Sequence, residues 1–351
     1  VELGAHSIRD VLSKTGLSSD SIDHVIMGQV LTAGAGQAPA RQAALKAGLS
    51  ESTVCMTVNK VCGSGLKAIE IGMDMIRLNK AKVVVCGGME SMSNAPHLMT
   101  GSRKGAKLGA VTMPDSLVHD GLWDVYNDCH MGVAAEACAK KYGFSREVQD
   151  AFATQSYQRA LDAQKKGVYK DELAPINIKQ RKGETCIDLD ESPQQVNFDK
   201  MKTLRPVFDA EGTITAANAS SINDGAAVVM LMSERYAKEL SVQPLARLLD
   251  INSYSHQPLW FSTAPVGSMH ALFNTHGLSV NDIDLFEINE AFAVVPLACQ
   301  KELGISDDQL NIYGGAISMG HPIGASGARI LTTLLNGMIT TSSNLGLATL
   351  C

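Results

Sequence analysis

Cys62 is the residue whose type and setting best suit nucleophilic chemistry. It lies between an extended apolar run and a helical pattern, in which apolar residues recur at spacings of three and four. These apolar residues are Leu66, Ile69, Met73 and Ile76. The free N–H groups and positive dipole end of a helix favour thiolate over thiol, so we expect Cys62 to be activated. Taken alone, the position fits a buried, inert cysteine equally well.

The chain contains an internal repeat. Residues 22–29 resemble residues 283–290 at an offset of 261, and residues 63–69 resemble residues 325–330 at an offset of 262. Two separate segments that agree on nearly one offset indicate duplication rather than coincidence. In the second pair, a glycine-rich turn leads into a helix in both copies, which predicts two halves of similar fold.

The second half supplies two further candidates for chemistry. The Gly-His-Pro-Ile-Gly turn at 320–324 lies at the position in the second half that corresponds to the position of Cys62 in the first half. The helix after this turn leads to a strand at 346–350 and then to Cys351. If the halves pack about a pseudo-twofold axis, the two turns can converge on one cleft. Two thiols at strand ends suggest covalent acyl chemistry, although His321 alone also fits a hydrogen-bonded turn histidine.

Composition bounds the class of protein. With 351 residues, 45% hydrophobic and 19% charged, the chain is typical of an α/β enzyme of two or three domains. The net charge of −6 gives no reason to expect nucleic-acid binding. No apolar run reaches the roughly 18 residues that a membrane-spanning helix needs. The eight cysteines form no Cys-x-x-Cys pair, which indicates reduced intracellular thiols and no metal site.

The start of the chain bears on its location. Residues 1–4 already belong to an amphipathic helical pattern and carry neither an initiator Met nor a targeting signature. We therefore expect a chain that is clipped at the front. The expected compartment is the cytoplasm, or the mitochondrion if a presequence is missing from the sequence.

Residues 93–215 differ in character from both halves and are interpreted as an insertion. Helices are predicted at about 132–142 and 146–166, the second with Ser145 as N-cap and Gly167 as its stop. The basic residues of the insertion are expected to form a solvated surface, or alternatively a surface that faces phosphate groups. They include Arg103, Lys104, Lys107, Arg181 and Lys182. A buried strand at 228–232 then returns the chain to the first half.

Seven motifs together resemble those of the thiolases, and the resemblance spans practically the whole chain. They are Val-Cys-Gly-Ser-Gly at 61–65, Gly-Gly-Met-Glu-Ser-Met-Ser at 87–93, His-Met-Gly at 130–132, Asn-Ala-Ser at 218–220, Asn-Glu-Ala-Phe at 289–292, Gly-His-Pro-Ile-Gly-Ala-Ser-Gly at 320–327 and Leu-Cys at 350–351. Each motif is weak alone, but their order is specific.

The resemblance implies a duplicated α/β fold of the thiolase type, with αβαβα layers. It consists of two similar halves, at 1–92 plus 216–241 and at 242–351, and an inserted loop domain at 93–215. The insertion is expected to bind coenzyme A, and its segment 101–113 resembles a tetramerisation loop, so a homotetramer is expected.

The implied reaction is the reversible Claisen condensation of two acetyl-CoA to acetoacetyl-CoA and coenzyme A. Cys62 is implied to be the nucleophile that is acetylated, and His321 the base that activates it and contributes to an oxyanion hole. Asn289 is implied to hold a water in that hole, and Cys351 to deprotonate the second substrate. Glu290 is expected to be a structural partner rather than an acid, because no second carboxylate pairs with it.

Further positions are implied to contact the substrate, while no cofactor or membrane partner is expected. The implied contacts with coenzyme A and the acyl group are Ser220, His130, Met131, Phe292, Phe261 and Met319. A rigid Phe261 and an adaptable Met319 predict a short pocket that also accepts a 2-methyl branch. A broader 3-ketoacyl-CoA thiolase is therefore an alternative.

Two other classes of function fit the residues of this chain less well. A β-ketoacyl synthase would be expected to place histidines at 289 and 351, and a non-catalytic acyl-CoA-binding relative would be expected to lack Cys62 or His321. Thiolases have further residues at both ends, including a glycine-rich strand after the last cysteine. The resemblance therefore implies a chain that is truncated at both ends and not fully active as written.

Overall fold

The computed structural model describes residues 1–181 and 183–351, and the backbone alone at Gln180. Its α-helices are α1 (Glu2–Thr15), α2 (Pro39–Lys46), α3 (Ser64–Arg77), α4 (Met131–Tyr142), α5 (Arg146–Lys166), α6 (Phe198–Met201), α7 (Glu234–Glu239), α8 (Ala264–His276), α9 (Val294–Leu303), α10 (Ala316–Met319) and α11 (Ser326–Thr341). Its strands are β1 (His24–Gly28), β2 (Val54–Val58), β3 (Val83–Ser91), β4 (Trp123–Asp124), β5 (Cys129–His130), β6 (Ile176–Gln180), β7 (Gly183–Ile187), β8 (Asp224–Met232), β9 (Leu285–Ile288) and β10 (Gly346–Thr349).

The first half contains a four-stranded sheet in the order β2-β1-β3-β8. β1 pairs in parallel with β2 and β3, whereas β8 pairs antiparallel with β3. β1 and β3 are almost entirely buried, as expected for central strands whose sequences are continuous apolar runs. The structure contains the strand predicted at 228–232, but the prediction that this strand is buried is wrong. β8 is only half-buried, because it lies at the edge of the sheet with β3 as its one neighbour.

The second half contains the parallel pair β9 and β10, in a register that joins Leu285 to Gly346 and Ile288 to Thr349. Helix α11 packs on both strands. The main core of this half includes Phe286, Ile288 and Ile317. β9 and β10 end next to each other, so the residues that follow them are brought together at one edge of the sheet.

Helices α3 and α11 meet at glycines near their N-termini. A Cβ built on Gly65 would lie 2.6 Å from the Ala328 nitrogen, and a Cβ on Gly327 would lie 2.5 Å from the Leu66 nitrogen. The two contacts are reciprocal, since Gly65 and Gly327 hold equivalent places in the repeat. This is the pattern that a pseudo-twofold relation between the halves produces. Because neither glycine has a side chain, the two helix starts can approach closely.

The insertion contains the predicted helices with the predicted ends. Ser145 accepts a hydrogen bond from the Val148 N–H at the start of α5, and Gly167 ends the helix with φ of 67°. Residues 101–113 are exposed, and so are Arg103, Lys104, Lys107 and Arg181. Lys182 lies outside the described residues. Across the described part of the chain, no helix is long and apolar enough to cross a membrane.

Candidate active site

Cys62 lies in the turn between β2 and α3, two residues before the helix begins. The preceding Val61 has a left-handed backbone with φ of 47°, which is rare for a β-branched residue. The buried Ser64 holds this turn, because its hydroxyl accepts from the Lys60 N–H at 2.8 Å and donates to the Val61 carbonyl at 2.6 Å. Cys62 itself is half-buried and packs beside Ile323 of the second half.

His321 approaches this thiol from the turn between α10 and α11. Its Nε2 lies 3.3 Å from the Cys62 sulfur, so the structure brings together two residues that are 259 positions apart. The other ring nitrogen, Nδ1, lies 2.5 Å from the hydroxyl of Ser326. Gly320 permits the turn with φ of 100°. The two glycine-rich turns of the repeat therefore converge, as the pseudo-twofold hypothesis required.

Burial makes this a neutral pair rather than a thiolate and an imidazolium. Removal from water raises the pKa of Cys62 to about 12 and lowers the pKa of His321 to about 4. The activation of Cys62 as a thiolate stays a prediction, and burial of the sulfur works against it. Cys62 precedes the N-cap Gly63, and burial is the main cause of the raised pKa of its thiol. In this arrangement a neutral imidazole lies where its Nε2 can accept the thiol proton.

Asn289 follows β9 and lies against the same imidazole. Its Nδ2 is 3.5 Å from His321 Nε2, at the outer limit of a hydrogen bond. Its Oδ1 is buried without a hydrogen-bond partner among the described residues. A backbone bond from the Asn289 N–H to the Thr349 carbonyl at 3.0 Å ties this position to the end of β10. The implied water-holding role stays a prediction.

Glu290, the next residue, is occupied by structural hydrogen bonds. Its carboxyl accepts from the Ser156 hydroxyl at 2.7 Å, from the Asn311 amide at 2.8 Å and from the Ile317 N–H at 3.1 Å. Burial raises its pKa. These contacts join the Asn289 loop to α5 and α10, so the carboxyl supports the site rather than reaching into it.

Cys351 follows β10 and packs against the Phe292 cluster of the second half. Burial raises the pKa of its thiol well above the usual value, and the charge of an ionised Cys62 would raise it further. A negative charge on either one opposes a negative charge on the other.

An aromatic group lines the region beside Cys351. Phe292 is buried, and Phe208 and Phe261 stand edge-on to it with ring centres at 6.1 Å and 6.3 Å. Met131 packs in the same cluster. His130 stacks on Phe208 with ring centres 4.7 Å apart. These contacts give a rigid wall of flat side chains.

His130 is also the N-cap of α4. Its Nδ1 accepts a hydrogen bond from the Gly132 N–H at 3.0 Å, and burial lowers its pKa. A neutral ring that accepts at Nδ1 carries its proton on Nε2. His130 can therefore donate a hydrogen bond from Nε2 to a carbonyl group.

Two other implied substrate contacts lie in different settings. Ser220 donates to the Ala291 carbonyl at 3.0 Å, beside the bridge that joins Ala219 to Phe292, so it borders the aromatic group. Met319 does not belong to that group. It packs in another cluster against α5, with Tyr169 among its neighbours, because α10 lies against α5 and turns this side chain toward it. Met319 also lies in the lining of the large cavity that includes Cys351, so its implied contact with the acyl group stays a prediction.

Comparisons with known proteins agree with this geometry. A family model described as "Thiolase, N-terminal domain" matches residues 1–235, and one described as "Thiolase, C-terminal domain" matches residues 242–351. The chain belongs to the thiolase family. It is 50% identical to an acetyl-CoA acetyltransferase of Pseudomonas aeruginosa and 48% identical to one of Cupriavidus necator. Each alignment covers 100% of this chain and 90% of the relative.

A solved thiolase extends the comparison to three dimensions. The crystal structure of a thiolase from Ascaris suum in complex with coenzyme A matches with a TM-score of 0.94 at 39% identity, over 99% of this chain and 89% of that one. The comparisons confirm the thiolase resemblance, the thiolase fold and the expectation that the chain is an enzyme. The three-part division of the chain stays a prediction.

This thiolase also uses residues to which the sequence reasoning assigned no role. Glu90 is buried at the end of β3, and its Oε2 accepts from the Val30 N–H and the Gly324 N–H, both at 2.9 Å, while Oε1 accepts from the Leu31 N–H at 3.1 Å. It thus ties the His321 turn to the first half. The sequence feature that could have indicated a role for Glu90 is a single acidic residue within an apolar strand. Phe208 had no signal, because it is a single aromatic residue in a polar segment.

Proposed function

We propose that this thiolase catalyses the reversible condensation of two acetyl-CoA to acetoacetyl-CoA and coenzyme A, through an acetyl group carried on Cys62. The observation that carries the proposal is the 3.3 Å contact between the Cys62 sulfur and His321 Nε2. The names of the acetyl-CoA acetyltransferases that resemble the chain support the same substrate.

In the acylation step, His321 Nε2 takes the proton of the Cys62 thiol while the sulfur attacks the thioester carbonyl. A neutral imidazole is the required form, and the pKa of about 4 keeps His321 neutral at physiological pH. The developing oxyanion is stabilised by His321 and by a water held by Asn289. The carbon–sulfur bond to coenzyme A then breaks, and the leaving sulfur takes a proton from Cys351. Imidazolium and thiolate remain.

In the condensation step, the Cys351 thiolate removes a proton from the methyl carbon of a second acetyl-CoA. The resulting enolate attacks the carbonyl of acetyl-Cys62, a carbon–carbon bond forms, and the Cys62 sulfur leaves and recovers its proton from His321. In this scheme the Cys351 thiolate forms only when coenzyme A leaves and takes the proton of Cys351, so acylation of Cys62 precedes condensation.

The rest of the substrate is held by the aromatic group and its border. His130 donates from Nε2 to a carbonyl of the coenzyme A arm, and Met131 and Phe292 pack against the apolar part of that arm. Ser220 borders the same region. The exchange of an acyl group between thiols is redox-neutral and needs no cofactor beyond the coenzyme A thioesters themselves.

The proposal is tested by comparing His321→Ala with Cys351→Ser in the full chain. With acetyl-CoA alone, we expect Cys351→Ser to gain one acetyl group on Cys62, located by mass spectrometry after acid quenching. His321→Ala should acetylate about a hundredfold more slowly, a typical loss for a removed acid–base group. Formation of acetoacetyl-CoA should be lost in Cys351→Ser.

Each alternative predicts a different result from this experiment. A non-catalytic acyl-CoA-binding protein would bind acetyl-CoA without acetylating any cysteine. An adduct on another cysteine, with Cys62 unmodified, would refute the assignment of the nucleophile. Condensation at the wild-type rate in Cys351→Ser would refute the two-thiol mechanism.

A further inference from the structure

We infer that Ser326 is a positioning residue that fixes the tautomer of His321, an inference that rests on the acyl transfer proposed above. Ser326 corresponds to Ser64 in the internal repeat, in which residues 325–327 are equivalent to Gly63-Ser64-Gly65. It is completely buried at the start of α11. Its hydroxyl lies 2.5 Å from His321 Nδ1 and 2.9 Å from the Pro322 carbonyl oxygen.

The direction of these hydrogen bonds follows from what each atom can do. A carbonyl oxygen only accepts, so the single hydroxyl proton of Ser326 is donated to Pro322. The hydroxyl oxygen is then left to accept from His321, and Nδ1 must carry the ring proton. In a neutral imidazole, Nε2 is consequently unprotonated. Its lone pair faces the Cys62 sulfur at 3.3 Å, which is the arrangement that proton removal from the thiol requires.

The opposite tautomer would disable the site. A proton on Nε2 would face the thiol, and the ring could not accept the proton of Cys62 without first losing its own. The hydroxyl of Ser326 would then have to turn away from the Pro322 carbonyl, which keeps its bonds from the Ala325 and Ser326 N–H groups, to donate to Nδ1. The amide nitrogen of Asn289, which only donates, faces Nε2 at 3.5 Å and favours the tautomer with the proton on Nδ1.

The equivalent serine of the first half makes the same pair of bonds with a different partner. Ser64 donates to the Val61 carbonyl and accepts from the Lys60 N–H, so its hydroxyl holds the turn that presents the nucleophile. In the second half the imidazole of His321 takes the place of the backbone N–H as the donor. One position of the duplicated motif thus positions the nucleophile in one half and the base in the other.

The test measures the tautomer apart from activity. In the full chain with 15N-labelled histidine, NMR above about pH 5 should show His321 protonated on Nδ1 in the wild type. Ser326→Ala should shift the nitrogen signals toward a mixture of tautomers. The rate of Cys62 acetylation at saturating acetyl-CoA should fall about tenfold, with little change in KM, because only proton transfer is affected. Ser326→Thr keeps the hydroxyl and should restore most of the rate.

Ser318→Ala is the matched control. Ser318 is as deeply buried, lies three residues before His321 and donates to the Gly315 carbonyl without touching the imidazole. Its loss should change stability but neither the His321 signals nor the dependence of acetylation on pH. A wild-type protein with Nδ1 unprotonated, or a Ser326→Ala rate equal to that of Ser318→Ala, would overturn the inference. Failure of the wild type to acetylate Cys62 would instead refute the proposed function, since the NMR result is independent of it.

Discussion

Replacing Gly327 by alanine tests whether the crossing of α3 and α11 sets the distance between nucleophile and base. The added Cβ would lie 2.5 Å from the backbone nitrogen of Leu66, whereas ordinary contact begins at 3.4 Å, so the helices must separate by about 0.9 Å. The obstacle is backbone, which cannot rotate away. Overpacking of this kind typically costs about 1–3 kcal/mol.

The same helix offers a control in Gly337. A Cβ at that position would meet Leu285 at 3.4 Å, an ordinary van der Waals contact. Alanine in a helix interior is favoured over glycine by about 0.5–1 kcal/mol, so Gly337→Ala should be neutral or slightly stabilising. The two variants add the same methyl group to α11. Their free energies of unfolding should therefore differ by about 1–4 kcal/mol.

Both quantities are measured in one series. Denaturant titration gives the free energy of unfolding, and quenched-flow mass spectrometry gives the rate of Cys62 acetylation. Displacement by about 1 Å at a reacting pair can cost on the order of a hundredfold in rate, so Gly327→Ala should acetylate much more slowly even where it is folded. Gly337→Ala should match the wild type. If Gly327→Ala is as stable and as fast as Gly337→Ala, the reasoning from the helix crossing is wrong.

Four further predictions concern charge, structural support and pocket shape. Because burial lowers the pKa of His321 from 6.5 to about 4, acetylation of Cys62 should stay constant from about pH 8 to 5, and a decline centred at 6.5 would contradict this. The same pKa shift contributes stability above about pH 6.5, and this stability is lost as the pH falls toward 4. The free energy of unfolding of the wild type and of His321→Ala, measured by denaturation at each pH, tests this. Glu290→Gln should cost about 1–3 kcal/mol of unfolding free energy, since an NH2 group cannot accept from the Ile317 N–H, and unchanged denaturation would argue against the structural role. Phe261→Ala should open the aromatic wall, raising kcat/KM for 3-ketohexadecanoyl-CoA relative to acetoacetyl-CoA, and an unchanged ratio would show that Phe261 does not limit chain length.

Local patterns determined most of the elements by themselves. The ends of the helix from Arg146 to Lys166 could be predicted from Ser145 and Gly167, because a cap depends only on residues within one turn. The internal repeat likewise predicted that the turns of Cys62 and His321 are equivalent. Equivalence in sequence implies equivalence in fold, and a pseudo-twofold packing then brings the two turns together.

Tertiary structure alone decided how these groups behave. The ionisation of Cys62 depends on how much protein surrounds its sulfur, which no local pattern records, and burial raises the pKa that the helix start was expected to lower. The neighbours of Met319 depend on how α10 lies against α5. The role inferred for Ser326 required the positions of two hydrogen-bond partners at once. Burial and hydrogen-bond geometry arise from contacts between residues far apart in the chain, and for that reason only the folded structure could decide them.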